Sequence, residues 1–387
     1  MNHSIFPQGS FGYDLQFLRQ HNIEPVILKD NSSGAQIMVI PAWQGRVLTS
    51  TANNADGFSY GWINYKLIDS GKKAGHINAF GGEERLWLGP EGGQFSFYFK
   101  KGTEQIFDNW FVPKEFDTES FEIVSQNSRE ISLKKQVQLI NYSGNSFDIK
   151  IERNIKILTA SETEDFASIQ PGSSIKSVSY ESENKVTNTG KNPWIKQNGL
   201  MSIWMLSMMV PSPDVVIFAP FKSGNDKDLG KVVNADYFGE IPENRLKVSN
   251  GFIFLKADGK FRSKIGLSPL RTKGIVASYD AKNSALTILF CRLPEHPAKY
   301  VNSKWEIQKD PYSGDVMNAY NDGPLEDGSQ MGPFYEIESS SPAAQLEPGK
   351  SITHLQRIYH FEGNEKELDK ITQKLLGTDI QTIKSVF

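Results

Sequence analysis

Residues 129–158 read REISLKKQVQLINYSGNSFDIKIERNIKIL, and this stretch indicates the fold class of the chain. Apolar side chains recur at every second position on both sides of NYSGNS, at 131, 133, 137 and 139 and again at 147, 149, 151, 155 and 157. That period is typical of a strand with one buried and one solvated face. The connection between the two runs carries Gly and Asn, which tight hairpins favour. The stretch therefore predicts two antiparallel strands of a half-buried sheet.

The same pattern continues through most of the chain. Alternation, or enrichment in β-branched and aromatic residues, marks AQIMVIPAW, SFEIVSQ, SIKSVSYESENKVTN, DVVIFAPF, NGFIFLKADGKFRSKIGL, GIVASYDAKNSALTILF and SITHLQRIYHF. NSSG, KADGK and EPGK are further connections of the kind that joins hairpins. Only YDLQFLRQH at 13–21 and NEKELDKITQKLLG at 364–377 have helical spacing. We therefore expect one all-β domain over residues 1–387, built as two large antiparallel sheets packed face to face, with a short C-terminal helix.

Composition and missing motifs exclude several classes of function. The net charge of −3 offers no excess that would attract nucleic acid or anionic lipid. No run of 18 apolar residues predicts a membrane-spanning helix. The single Cys291 excludes an internal disulfide and a cysteine-based zinc site. Walker, Rossmann, HExxH and GxSxG motifs are absent, so phosphoryl transfer, dinucleotide chemistry and serine hydrolysis have no support.

Residues 80–99, FGGEERLWLGPEGGQFSFYF, combine paired glycines with acids, an arginine and an indole. Sugar rings are bound by aromatic faces together with carboxylates, amides and arginine, because a pyranose has apolar C–H faces and a belt of hydroxyls. Arg85 can fork onto a carboxylate or two hydroxyls, and Trp87 can stack on a ring. Three glutamates can accept from hydroxyls, namely Glu83, Glu84 and Glu91. The alternative interpretation is that Arg85 and Glu91 form a buried structural ion pair.

Three segments carry a resemblance to a known superfamily. GGEERLWLGPEGGQ resembles the GG…R-W-x-(G/A)-P-E segment of proteins related to galactose mutarotase, the β-supersandwich fold of aldose 1-epimerases. VIPAWQGRVLTSTA, which contains Arg46, is similar to the early strand pair of that superfamily. YEIESSSPAAQLEPGKSITH resembles its late glutamate-bearing strand and the L-x-P-G-x-S turn that follows. The resemblance implies a galactose mutarotase-like supersandwich.

Over essentially the whole chain, the sequence resembles an uncharacterised family from Bacteroidetes. The hallmarks of that family stand here as FGYDLQFL, INAFGGEERLWLGPEGGQFS, GDVMNAYNDGP and FYEIESSSPAA. Its members look like exported proteins or lipoproteins, which implies the periplasm or the cell envelope. The first residues, MNHSIFPQGSFGYDL, show no signal-peptide pattern, which favours the cytoplasm. The localisation is therefore left open, and so is the oligomeric state.

The superfamily resemblance implies acid–base chemistry that opens and recloses a sugar hemiacetal. Its base is a late-strand glutamate, which maps to Glu338 or Glu336; strand alternation puts both on one face, and the sequence does not choose between them. The family's acid is a histidine that follows an asparagine. In the comparable stretch here, KVTNTGKNPW, Asn188 is followed by Thr189, whose hydroxyl cannot donate a proton near neutral pH. His76 is a candidate replacement, as are Glu83 and Glu84.

Two classes of function remain, and neither requires a cofactor. The first is an enzyme acting at or beside an anomeric carbon, with epimerase chemistry ahead of a lyase or hydrolase reaction. The second is a non-catalytic protein that binds a mono- or oligosaccharide in the same cleft. Arg46, Trp305 and Asn321 are further candidate contacts to the sugar in either case. Asn321 belongs to the acidic turn AYNDGPLEDGSQ, which is a solvated loop or, alternatively, a Ca²⁺ ligand set; we expect no bound metal.

Overall fold

The computed structural model describes residues 5–167 and 174–387. The strands are Val26–Lys29 (β1), Gln36–Ile40 (β2), Arg46–Thr51 (β3), Arg85–Gly89 (β4), Glu122–Gln126 (β5), Glu130–Ile140 (β6), Ser146–Ile157 (β7), Ile175–Asn188 (β8), Ser202–Met209 (β9), Val215–Pro220 (β10), Leu246–Ser249 (β11), Phe252–Lys256 (β12), Ser263–Leu267 (β13), Ile275–Asp280 (β14), Ala285–Cys291 (β15), Met317–Asn321 (β16), Tyr335–Ser340 (β17) and Ser351–Gly363 (β18). The helices are Phe11–Gln20 (α1), Tyr65–Ser70 (α2), Lys114–Asp117 (α3), Ala160–Ala167 (α4), Asp226–Leu229 (α5), Glu365–Leu376 (α6) and Ile380–Lys384 (α7).

The strands of the described ranges form three antiparallel sheets. A ten-stranded sheet has the order β11-β12-β10-β14-β15-β18-β8-β7-β6-β5, and a five-stranded sheet has the order β13-β16-β17-β9-β4. The third sheet contains only β1, β2 and β3. The all-β prediction is therefore confirmed, with one small sheet in addition to the two large ones expected.

The hairpin at residues 129–158 forms as its alternation predicts. Strands β6 and β7 pair with Val137 opposite Ile149 and Leu139 opposite Phe147. All of the alternating apolar positions are buried in the core, because they lie on the inner face of the ten-stranded sheet. Arg153 of β7 occupies one of these inner positions and is also fully buried.

Two of the predicted hairpin connections instead carry the chain from one sheet to the other. KADGK lies between β12 of the ten-stranded sheet and β13 of the five-stranded sheet, and EPGK lies between β17 and β18, which also belong to different sheets. Turn residues reveal where the chain reverses, whereas the strand that receives it is decided by long-range pairing. The connection NSSG does join a hairpin, of β1 and β2.

Both predicted helices are present as α1 and α6. Leu368 and Ile371 of α6 pack with Phe218 and Phe361 in a second core on the ten-stranded sheet. The other five helices contain four to eight residues each, and segments of that length show too little periodicity to be recognised. No helix within the described ranges is long and apolar enough to cross a membrane.

The interior of the sandwich also contains a network of buried polar groups. Glu84 accepts a hydrogen bond from Arg153 Nη2 at 2.5 Å, one from Ser182 Oγ at 2.7 Å and one from Gln356 Nε2 at 3.0 Å. Ser339 of β17 donates to Gln356 Oε1 at 2.7 Å. Each of these side chains forms at least one hydrogen bond, and the charge of Glu84 is compensated by Arg153. The network therefore links β17 and the residue that precedes β4 to the ten-stranded sheet.

We expect Arg153→Met to lower the free energy of unfolding by about 3–5 kcal/mol, because it leaves Glu84 charged and unpaired in the core. Urea denaturation followed by tryptophan fluorescence measures the change. The matched control is Arg357→Met on β18, where the ion pair with Glu181 is partly exposed, and the expected cost there is about 1 kcal/mol or less. Equal costs for the two variants would contradict the structural role given to the Glu84–Arg153 pair.

Candidate functional site

The pleat of the five-stranded sheet separates two sets of side chains. On β17, Ser339 faces the ten-stranded sheet, since it contacts Gln356 of β18, and Ile337 is part of the core. Glu336 and Glu338 alternate with these residues and therefore lie on the outer face. The prediction that the two glutamates share one face is confirmed.

Both late-strand glutamates are buried and paired with cations. Glu338 accepts a hydrogen bond from the indole Nε1 of Trp204 at 2.8 Å, and its Oε1 lies 3.0 Å from Lys264 Nζ. Glu336 Oε1 lies 2.5 Å from Arg85 Nη2. The carboxylate of Glu338 is 1% exposed, so neither residue is an acid on a solvent-facing strand.

A cavity of about 960 Å³ opens on this outer face, lined by β13, β16 and the loops around residues 91, 106, 237, 305 and 327. Its charged lining consists of Glu91, Asp236, Arg262, Lys264, Lys304, Glu306 and Asp322. Its aromatic lining consists of Phe107, Tyr237, Phe238, Trp305 and Tyr320. Of the candidates named from the sequence, Glu91 and Trp305 line this cavity.

Glu91 is the carboxylate that connects this cavity to the late strand. Burial raises its pKa above the ordinary value of 4.5; the charge of Lys264 opposes that rise, and the charge of Glu338 reinforces it. A hydrogen bond from Trp305 also lowers the pKa, but burial remains the largest effect. Glu91 is thus a cavity-lining acid whose pKa is raised by burial, and this is the direction of shift that suits a proton donor.

Lys264 lies between the two carboxylates and holds their charges in place. Burial by itself lowers the pKa of Lys264, but the attraction of Glu338 and Glu91 outweighs burial, and the pKa is raised. The ammonium group also lies 5.1 Å from the ring centroid of Trp204 and 5.7 Å from that of Tyr237. These contacts keep Lys264 protonated at the floor of the cavity.

Arg85 forms its ion pair with Glu336 and not with Glu91. The alternative interpretation of the sequence, a structural ion pair between Arg85 and Glu91, is therefore wrong. The guanidinium lies 5.1 Å from the ring centroid of Trp87, which in turn packs edge-on against Trp204 at 5.6 Å. Burial raises the pKa of Glu336 to about 7, although Arg85 opposes the rise. Arg85 and Trp87 therefore pack against Glu336 and Trp204, and neither of them lines the cavity.

Glu336 and Glu338 are buried beneath the cavity and do not line it, and five other candidates from the sequence also lie away from its lining: Arg46, His76, Glu83, Glu84 and Asn321. Arg46 donates to the carbonyl of Gly81, and Glu83 contacts Ser50 and His360 in the interior. His76 lies against the carbonyl of Trp110 at 2.6 Å and stacks on Phe111. Asn321 bridges the backbone of Gly259 and Phe261. Each side chain is thus engaged by the protein itself.

The paired glycines allow two chain segments to approach closely. A Cβ on Gly81, whose φ is +97°, would lie 2.0 Å from the carbonyl oxygen of Trp62. A Cβ on Gly92 would lie 2.3 Å from the carbonyl oxygen of Lys304, in the loop that carries Trp305. The glycines of this segment therefore bring protein backbones together, and the contact at Gly92 positions one wall of the cavity.

Several residues of the site were not identified from the sequence, among them Arg262, Lys264, Tyr237 and Phe238. The segment FRSKIGL was interpreted only as a strand. A lysine between two buried positions of a strand indicates that its ammonium group is paired with a carboxylate inside the protein, because lysine is rarely buried without such a partner. Trp204 of β9 was also not identified as a residue of the site. Thr189 lies just after β8 in the ten-stranded sheet, whereas the strands beside Glu338 are β9 and β16.

Within the described part of the chain, no group of three or more His, Cys, Asp or Glu side chains could hold a metal ion. In the acidic turn, Asp322 accepts from the hydroxyl of Tyr320 at 3.0 Å and from the backbone of Gly332 at 2.8 Å. Asp327 accepts from Ser329. The turn is therefore held by its own hydrogen bonds.

Comparison with known proteins identifies a family and a fold. The model of a family of unknown function, DUF6786, matches residues 9–387. No curated protein matches the chain. A solved structure from Escherichia coli K12, described as a candidate aldose 1-epimerase, is 12% identical, with a TM-score of 0.53 over 88% of this chain and 99% of that one. The Slr1438 protein of Synechocystis sp. PCC 6803 is 10% identical, with a TM-score of 0.51 over 88% and 96%. The fold is galactose mutarotase-like.

We expect the fluorescence of Trp305 to change with pH as Glu91 titrates, because the indole donates to that carboxylate. The midpoint should lie above pH 4.5, the ordinary value for glutamate. A fluorescence titration of the wild type, of Glu91→Gln and of Trp305→Phe tests this. The transition should be absent in both variants, and a transition that persists in Glu91→Gln would contradict the assignment.

Proposed function

Because the chain belongs to this family of unknown function, we propose its function from the cavity: the protein binds a carbohydrate there and performs acid–base chemistry at the anomeric carbon. The observation that carries the proposal is that Lys264, which lines the aromatic cavity together with Glu91, forms an ion pair with Glu338, which is buried beneath the cavity lining. Two carboxylates in different environments, one lining the cavity and one bound to a lysine, are how one site supplies an acid and a base at the same pH.

In the proposed reaction, Glu338 is the base and Glu91 is the acid. Glu338 removes the proton from O1 of the hemiacetal while Glu91 protonates the ring oxygen. The bond between C1 and the ring oxygen breaks, and the O1 electrons form the carbonyl. Rotation about the C1–C2 bond and reversal of the two proton transfers then close the opposite anomer, with no net gain or loss of atoms.

Lys264 and Trp204 serve Glu338 as positioning residues. Both bind the carboxylate directly, at 3.0 Å and 2.8 Å, and so fix its orientation toward a substrate. A small pocket of about 20 Å³ is lined by Trp204, Lys264 and Tyr237, and the last two residues also line the large cavity. The description of the Escherichia coli neighbour as a candidate aldose 1-epimerase agrees with the proposed type of reaction.

One observation favours a second candidate function, the binding of a sugar without turnover. Lys264 and Trp204 both bind the carboxylate of Glu338, which is 1% exposed. Arg85 forms an ion pair with the carboxylate of Glu336. If the lysine does not move aside when a sugar enters, no late-strand carboxylate oxygen is free to take a proton. The cleft would then recognise a carbohydrate through Glu91 and the aromatic walls alone.

We expect the wild-type protein to accelerate exchange between the α and β anomeric protons of a bound sugar in proton NMR. Glu338→Gln and Glu91→Gln should each slow this exchange by about 10²–10⁴-fold, the usual contribution of one general base or acid. Saturation-transfer difference spectra of a panel of hexoses, pentoses and uronic acids report binding independently of exchange. The control is Glu306→Gln, which removes the same charge from an exposed position at the cavity wall.

The results distinguish the candidate functions. Binding without exchange in the wild type would favour the non-catalytic protein, and an absence of both signals for every sugar would overturn the proposal. Exchange that is unaffected in Glu338→Gln would remove the late-strand glutamate from the mechanism.

The pH profile gives a further prediction for the same variants. Glu91 acts in its protonated form, and its pKa is raised, so we expect the exchange rate to fall as pH rises through that pKa. Burial favours the neutral carboxyl, which shifts this alkaline limb to higher pH than for an exposed glutamate. Glu91→Asp should retain an alkaline limb at a lower rate, whereas Glu91→Gln should lose it. Anomer exchange measured as a function of pH tests both variants.

A further inference from the structure

Three cationic side chains line the cavity, and two of them already have partners. Lys264 is paired with Glu338, and Lys304 Nζ lies 2.8 Å from Asp236. Among the residues that the structure describes, no carboxylate forms an ion pair with Arg262. The charge of Arg262 acts on Glu91 and lowers its pKa, but without an ion-pair contact the guanidinium can still bind an anion in the cavity.

The guanidinium of Arg262 is held in a defined orientation. Its central carbon lies 3.9 Å from the ring centroid of Phe238, and a hydrogen bond joins it to Tyr320. Phe238 meets Tyr320 edge-on at 5.9 Å. Stacking on the face of a ring leaves the N–H edge of a guanidinium free, and that edge matches two oxygens of a carboxylate, sulfate or phosphate.

The cavity is also larger than one sugar ring requires. Its volume of about 960 Å³ is at the upper end for small-molecule sites. The cavity lining includes five large apolar side chains that are exposed to solvent: Ile106, Phe107, Phe238, Leu325 and Met331. An apolar wall that continues outward from the floor suits a chain of sugar rings, each of which presents C–H faces to the protein.

We propose that the ligand of this cavity is an acidic oligosaccharide, and that Arg262 binds an oxyanion substituent on one of its sugar units. The inference rests on the proposed carbohydrate site and adds the class of its ligand. The oxyanion is a uronate carboxylate, a sulfate ester or a phosphate ester, which share the geometry that a guanidinium recognises. A neutral glycan would leave Arg262 without a charged partner.

The test compares ligands that differ only in charge. Oligogalacturonate and its methyl ester have the same size and ring faces, but only the former carries carboxylates. We expect the acidic form to bind at least about tenfold more tightly by calorimetry, since a hydrogen bond to a charged group contributes about 1.5–3 kcal/mol. Sulfated and phosphorylated oligosaccharides, tested in the same way, show which oxyanion is preferred.

Arg262→Met should remove the preference for the acidic form and leave the affinity for the methyl ester unchanged. Arg262→Lys keeps the charge but loses the planar fork, so an intermediate preference is expected. Lys304→Met is the matched control, because it removes a cation of the same cavity that already has a carboxylate partner, and it should retain the preference. Circular dichroism and thermal unfolding of each variant show that the fold is intact.

Each outcome bears on one of the two proposals. Equal binding of the acidic and neutral forms, unchanged in Arg262→Met, would overturn the acidic-ligand inference and leave the sugar site standing. A preference lost equally in Lys304→Met would also overturn it, because the cause would then be the general charge of the cavity. If no carbohydrate of any charge binds, the proposed function itself fails.

Discussion

The ion pair between Lys264 and Glu338 is the interaction on which the site depends. It joins β13 to β17 across β16 and neutralises a carboxylate that would otherwise be buried without a counter-charge. The cost of such burial is several kcal/mol for an unpaired ion. The same ammonium also attracts Glu91, so one lysine acts on both acids, although burial has the larger effect on the pKa of Glu91. Tyr237 and Trp204 enclose it and keep water from screening the interaction.

This arrangement requires that β17 remain in one register and with one face outward. A shift by one residue would turn Glu338 into the sandwich and Ser339 out of it. The interior network opposes that shift, because Ser339 bonds Gln356, which bonds Glu84, and Glu84 is held by Arg153. The hydrogen bonds among Ser339, Gln356 and Glu84 inside the sandwich therefore fix the position of Glu338 on the outer face. In that sense the buried network belongs to the site, although it touches no cavity.

Much of the fold follows from the sequence, because alternation and turn residues are local signals. The hairpin of β6 and β7 and the shared face of Glu336 and Glu338 are direct consequences of the strand period. The cavity is different, since its walls come from β13, β16 and the loops around residues 91, 106, 237, 305 and 327, which meet only after the sheets have paired. No local pattern reveals that Lys264 reaches Glu338, 74 residues away. The segment GGEER illustrates both kinds of information. Its composition identifies it as a candidate site from the sequence, but only the contacts in the folded chain show that Glu84 faces the interior and Arg85 the outer face.

The charges on the floor can be considered as pairs, and the pairs explain what the cavity can accept. Glu338 is matched by Lys264, and Glu336 by Arg85. Asp236 is matched by Lys304, and burial favours the neutral form of Glu91. Arg262 is then the cation in this group that has no carboxylate of its own among the described residues. Arg262 is half-buried and its charge acts on Glu91 without an ion-pair contact, so an anionic ligand can form the direct charged hydrogen bonds that the protein does not supply. The ion pairs of the site thus have two consequences. They give Glu91 and Glu338 different environments, and they leave Arg262 to select for a sugar that carries a negative charge.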